Sequence, residues 1–229
     1  MTLWHSLWTP IATRTSRIHA SSVRSHTMAL GFVRPARPGD AGEIARIQLT
    51  TWRTAYRRLL PAHVFDELDE GWITQRWVDA ITAPPSPLHR VLVAVEQPDH
   101  SSAPAELSSA YPVGFAATGP ADDAALAPDE DHTALPGNVA AVTDLLVEPR
   151  WGRRGHGSRL LAACVDHWRT DGFSNAVAWA FVEDGATRAF LEGAGWALDG
   201  ASRALDVDDL LVPQIRLQTA LDIDVEQSA

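Results

Sequence analysis

The chain has 229 residues, 45% hydrophobic and 21% charged, enough to bury a sizeable core in one large domain or two small ones. Lys and Arg total 19 against 29 Asp and Glu, a net charge of −10, which argues against wrapping nucleic acid, whose phosphates need cationic partners. No apolar run approaches the roughly 20 residues that span a bilayer, and the single cysteine excludes an intramolecular disulfide framework and a cysteine-based zinc cluster.

Residues 1–27 hold Arg14, Arg17 and Arg24 and no acid. They read either as a disordered leader, with the Arg-rich, acid-poor composition of an organelle transit peptide, or as translated upstream sequence with Met28 as the start. No apolar core of a secretory signal is present, and a cytoplasmic location is expected. Residues 28–229 are expected to form one domain.

Phe32–Ala36 reads as a short strand ended by Arg37-Pro38-Gly39. Asp40 and Glu43 have capping-box spacing at the head of a helix whose apolar face carries Ile44 and Ile47. Ile73, Trp77 and Ile81 recur at helical spacing, and Pro84-Pro85-Ser86-Pro87 stops that helix. Val91–Glu96 and Val113–Ala117 are strands. Two loop insertions are expected: one near 97–110, polar and Ser-rich, and one near 119–138. The second is rich in Pro, Ala and acid and predicts a solvated surface excursion. Val142–Val147 is a buried strand, and Gly155–Arg169 a helix with Leu160, Leu161, Cys164 and Trp168 on one stripe. A strand at Ala176–Val182, a short helix at Ala186–Ala194 with Gly195 as its C′ residue, and a last strand at Ile215–Leu221 follow. Ala201–Leu205 is a candidate partner for that last strand. The order implies an α/β fold with a mixed sheet.

Residues 142–161 read VTDLLVEPRWGRRGHGSRLL: a strand, a loop of Arg and Gly, then a helix opening at Gly155-His156-Gly157-Ser158. Free amides at a helix N-terminus and the positive end of its dipole favour phosphate oxygens. Gly155 and Gly157 have no Cβ to keep a diphosphate away from the backbone, and Arg153 and Arg154 add charge and donors. A Walker loop needs a lysine, and there is none. A dinucleotide fingerprint needs a third glycine where Leu160 stands.

The segment resembles the acetyl-CoA loop of the GNAT superfamily of N-acyltransferases, [Q/R]-x-x-G-x-[G/A], with Gly152 in place of the leading Gln or Arg. Asp184 to Trp196 resembles the same family's N-x-x-A-x-x-F-Y-E-x-x-G-F. The resemblance implies a GNAT-like, largely antiparallel sheet with flanking helices and with strands four and five splayed apart. It also implies acetyl-CoA as acyl donor. The backbone of Leu145, Leu146 and Val147 would pair with the pantetheine, and an N–H near Leu146 would polarise the thioester carbonyl. Arg153, Arg154, Gly155, His156, Gly157 and Ser158 would hold the pyrophosphate, and Asp184 would meet the pantetheine arm. The acceptor would be a primary amine of a small molecule or peptide, and the protein a monomer or homodimer.

Attack by an amine needs a base and a proton for the leaving sulfur. Leu191 stands where the family commonly places an acidic Tyr. Tyr56 is a candidate acid; Asp144 and Glu183 are candidate bases. Strand alternation turns Ala141 and Thr143 toward the acceptor and Asp144 away from it. Trp52 and Tyr56 fall where the family lines its acceptor pocket. His156 reads as an exposed loop residue contributing its backbone N–H, with no partner spacing for a metal. Cys164 reads as a buried thiol. With no evident base, a non-catalytic acyl-CoA-binding or sensor module is the alternative.

Overall fold

The structure is a computed structural model and describes residues 31–96, 110–128, 130–131 and 138–221. The leader, most of the first insertion and the tip of the second lie outside the described residues. In chain order the elements are β1 (Phe32–Pro35), α1 (Ala41–Ala55), α2 (Ala62–Asp66), α3 (Glu70–Thr82), β2 (Arg90–Glu96) and β3 (Tyr111–Pro120). Then come β4 (Val139–Val147), α4 (His156–Thr170), β5 (Asn175–Phe181), α5 (Gly185–Gly193), β6 (Ala197–Val207) and β7 (Leu210–Ala220).

The seven strands form one sheet in the order β1-β2-β3-β4-β5-β7-β6. Neighbours are antiparallel except β4 and β5, which run parallel. Helices cover both faces, which is why β2 and β4 read as continuous apolar runs rather than alternating ones. On one face Leu160, Leu161, Cys164 and Trp168 of α4 pack on Leu92, Val142, Leu145 and Val147. On the other, Ile44 and Ile47 of α1 and Ile73 and Trp77 of α3 pack on Val91, Val93, Phe115 and Leu146. Trp168 and Trp77 are buried by their ring area and each donates its indole N–H, at 2.8 Å, to Thr118 Oγ1 and Gln48 Oε1 respectively, which removes the cost of an orphaned donor.

Two local expectations are corrected. Asp40 does not close a capping box with Glu43. A 3-10 turn at Pro38–Asp40 gives Asp40 helical torsions, and its carboxylate turns back to accept from the Arg34 guanidinium at 2.7 and 2.9 Å and from the Arg37 N–H at 2.7 Å. Glu43 instead pairs with Arg46. The second insertion is not simply solvated either. Ala125 is buried, Asp122 accepts from Ala124 N–H, and Glu130 grips the Arg216 guanidinium through both oxygens at 2.5 and 2.6 Å. A buried arginine from β7 supplies the countercharge that the composition of the segment alone does not reveal.

Two departures from regularity shape the middle of the sheet. β4 and β5 pair only from Val139↔Asn175 to Val142↔Ala178, although β4 runs on to Val147 and β5 to Phe181; beyond that point the strands part. At the same level, the β3–β4 register passes from Thr118↔Val142 to Ala117↔Asp144, leaving Thr143 as an extra residue. A one-residue bulge reverses which face each later side chain takes. Ala140 and Val142 face α4 before it; Leu145 and Val147 do so after it.

Candidate functional site

The bulge corrects the expected orientation of Asp144. Simple alternation sends it away from the acceptor side; the extra residue returns it to the face of Leu146, toward α1 and α3. It is buried there. Its charge acts on Arg76 of α3 and, together with that of Asp184, on Tyr56.

The ladder also decides which amides face the gap. Glu148 N–H donates to Val113 O at 2.9 Å. Along an antiparallel pair the bonding direction alternates, so Leu146 is turned toward β3 and the N–H and C=O of Leu145 and Val147 point into the split. The expected donor near Leu146 is thus one residue to either side of it. Close approach of β4 to β3 requires Gly114, where a Cβ would lie 2.6 Å from Leu146 O and 3.0 Å from Val147 Cγ2.

After β4 the chain makes a 3-10 turn at Pro149–Trp151. Arg153 (φ 67) and Gly155 (φ 79) then adopt left-handed torsions. Arg159 N–H closes the first turn of α4 on Gly155 O at 3.0 Å, so the amides of His156, Gly157 and Ser158 precede the intrahelical ladder and form its open positive end. Arg153, Arg154 and Ser158 are exposed around it, and Arg154 lies 4.6 Å from the Trp151 ring. A Cβ on Gly157 would be 3.5 Å from Phe190 of α5 and 3.8 Å from Val147, so this glycine sits where α4, α5 and the edge of β4 converge.

His156 is not an exposed loop residue. It is 1% exposed; its Nε2 lies 3.2 Å from Glu96 Oε2 and its Nδ1 3.2 Å from Arg159 Nη2. Guanidinium can only donate, so Nδ1 accepts and Nε2 carries the hydrogen toward Glu96. Burial, then Arg159, holds its pKa below the usual histidine value against the opposing pull of Glu96. The ring anchors the first residue of α4 to the end of β2. Sequence reasoning missed Glu96 altogether, because its only signal is an acid closing an apolar strand.

Asp184 caps α5: Oδ1 accepts from the N–H groups of Ala186 (3.2 Å) and Thr187 (3.0 Å), and Oδ2 from Thr187 Oγ1 at 2.7 Å. Burial still raises its pKa. Leu191 is buried in the α4 core cluster, so the helix position expected to carry an acid is a packing position here. Glu183 is exposed on the rim of a cavity of about 960 Å³ that Tyr56, Phe181, Asp184 and Leu211 also line. Tyr56 is 2% exposed, edge-on to Phe181 at 5.2 Å, and its hydroxyl has no hydrogen-bond partner. Burial, reinforced by Asp184 and Asp144, pushes its pKa well above 10. Cys164 is fully buried and its thiol is pushed up to about 12.

A split sheet, a glycine-rich turn and an open helix N-terminus therefore meet at one edge. The sequence model of the Acetyltransferase (GNAT) family matches residues 52–196, which contain all of these features. The chain belongs to the GNAT acetyltransferase family. No curated protein sequence matches it. The GNAT fold is seen again in solved structures of low identity. The PaiA N-acetyltransferase of Thermoplasma acidophilum, in complex with coenzyme A, aligns at 13% identity and TM-score 0.57 over 83% of this chain and 99% of that one. YncA of Salmonella typhimurium, a putative acetyltransferase with acetyl-CoA, aligns at 16% and 0.55 over 88% and 98%. The ribosomal-protein-S18-alanine N-acetyltransferase of Escherichia coli aligns at 12% and 0.52 over 87% and 99%. Among the described residues of this GNAT chain, no helix is long and apolar enough to cross a membrane.

Proposed function

We propose that this GNAT enzyme transfers the acetyl group of acetyl-CoA to a primary amine of a small molecule or peptide by direct attack on the thioester. The observation that carries this reading is the parting of β4 from β5 beyond Val142 and Ala178, beside the open N-terminus of α4. The site fits the donor: amides at His156, Gly157 and Ser158 suit a pyrophosphate, and the Leu145 and Val147 edges suit the amides of a pantetheine laid along β4. Arg153 and Arg154 supply charge where the family motif has Gln or Arg and this chain has Gly152. Asp184 shapes the arm's path by holding the start of α5, since its carboxylate is committed to Ala186 and Thr187.

Acetyl-CoA brings an activated thioester: the amine nitrogen bonds to the carbonyl carbon, the carbon–sulfur bond breaks, and the proton lost from nitrogen balances one gained by sulfur. An N–H of Leu145 or Val147 polarises the carbonyl. Such a donor in a dry site is worth about 2.7–4 kcal/mol. Tyr56, held neutral by burial, offers a proton toward the sulfur. Asp144, returned to the acceptor face by the bulge, orients the amine and accepts its proton. Glu183 stays on the rim as an exposed residue with no part in proton transfer.

Acetyl-CoA titration by calorimetry, followed by CoA release across an amine panel, tests the proposal. Micromolar binding with turnover of at least one amine supports it. Binding with a raised melting temperature and no turnover favours the sensor alternative, which the burial of Leu191 in the core keeps in view.

A further inference from the structure

The vertex of the split carries a second, smaller cavity of about 260 Å³. Val142, Thr143, Ala178 and Trp179 line it, and Val142↔Ala178 is the last β4–β5 pair. A molecule seated there lies where the strands part. Trp179 precedes Phe181 by two residues on β5, so its ring shares the face of Phe181 and Tyr56, about 7 Å along the strand.

Arg203 of β6 also lines this cavity. Its guanidinium lies 4.2 Å from the Trp179 ring and donates to Gln214 Oε1 at 2.7 Å and to Ala124 O at 2.5 Å, which orients the fork. Arg216 approaches the same indole at 5.5 Å, yet the two cations are balanced differently. Arg216 is bound by Glu130 and Asp199, and its pKa rises. Arg203 is pushed down to about 10, by burial first and by Arg216 second. An anion entering the cavity offsets both effects. Asp122 and Asp123 line the same cavity and suit the ammonium end of such a molecule. The volume equals that of about nine waters at roughly 30 Å³ each, the scale of a small amino acid rather than of a long chain.

Resting on the acetyl-transfer reading above, we propose that the acceptor is a small amino acid or similar zwitterion whose carboxylate docks on Arg203, leaving its amine at the vertex of the split. Arg203 is then a specificity residue: it holds the carboxylate, which takes no part in the bond exchange.

The test measures CoA release at saturating acetyl-CoA for matched acceptors: serine, serinamide and ethanolamine, and β-alanine, β-alaninamide and propylamine. The acids are expected to exceed their uncharged-tail partners in kcat/KM by about tenfold or more, the worth of a charge-assisted hydrogen bond. Arg203→Gln is expected to raise KM for the acids by a similar factor with kcat held within about threefold, and Arg203→Lys to recover part of the loss. Amides and simple amines turned over as well as the acids would overturn the proposal, with wild-type protein alone and whatever the stability of the variants. An acid preference that persists in Arg203→Gln would overturn the assignment to Arg203. Acetyl-CoA binding without turnover of any amine would instead remove the acetyl-transfer reading, and this proposal with it.

Discussion

Single residues at the site carry distinct and separable duties. Tyr56 reaches the chemistry only through its hydroxyl, since Phe181 and burial hold its ring. Tyr56→Phe is expected to lower kcat by about 10²-fold, a modest general-acid effect, while calorimetry finds acetyl-CoA affinity unchanged. Gly155 and Gly157 differ in what a side chain would do. At Gly155 the torsion φ 79 strains any other residue by about 1–2 kcal/mol, so loss of binding there is mixed with loss of fold. At Gly157 a Cβ meets only ordinary contacts. Gly157→Leu is therefore the cleaner probe, and is expected to weaken acetyl-CoA at least about tenfold with little change in melting temperature, by filling the approach to the amides. His156 gives a pH signature. Its pKa is depressed in the fold, so the unfolded chain binds this proton more readily. The stability it contributes is complete above the ordinary value of about 6.5 and is lost as pH falls through the lower, folded value. Melting temperatures of the wild type should fall more steeply below pH 6.5 than those of His156→Asn; parallel curves would remove histidine from the account.

At the scale of elements, β4 is the decisive segment. The Thr143 bulge and the Gly114 contact set where its edge lies, and both act through backbone rather than side-chain chemistry. Gly114→Ala places a Cβ against Leu146 O and is expected to cost about 1–3 kcal/mol by overpacking, read by chemical denaturation. Acetyl-CoA affinity should fall as well, because β4 can yield only toward the gap. The second element-level device is the tether of residues 122–131 to β7. Arg216 is nearly buried and satisfies Glu130, Asp199 and Ala125 O. Arg216→Leu strands two carboxylates beside the sheet, which is expected to destabilise by about 3–5 kcal/mol. Glu130→Gln should cost less, since Glu130 is the more exposed partner.

For the whole molecule, binding of the donor across β4, α4 and α5 links elements distant in sequence. Acetyl-CoA at 100 times its Kd should stabilise the fold by about 2.7 kcal/mol by mass action. For a domain of this size that is a rise of about 5–10 °C in melting temperature, measured by scanning calorimetry. The elements and their order were legible in the chain: two-face burial writes strands as apolar runs, and the stripe of α4 writes a helix. The phosphate-binding turn was legible too, because glycine where torsions or close approach exclude side chains is a local demand. What the sequence could not carry was anything set by pairing across the sheet. Asp144 faces the acceptor only because one extra residue at Thr143 reverses the alternation, and a bulge has no fixed residue signature. His156 is buried only because Glu96, sixty residues away, meets it. The acidic insertion is ordered only because Arg216 lies beneath it. Local periodicity and turn chemistry are properties of neighbours along the chain; the facing of a side chain in a split sheet, and the partner of a buried charge, arise from contacts that exist only once the strands are side by side.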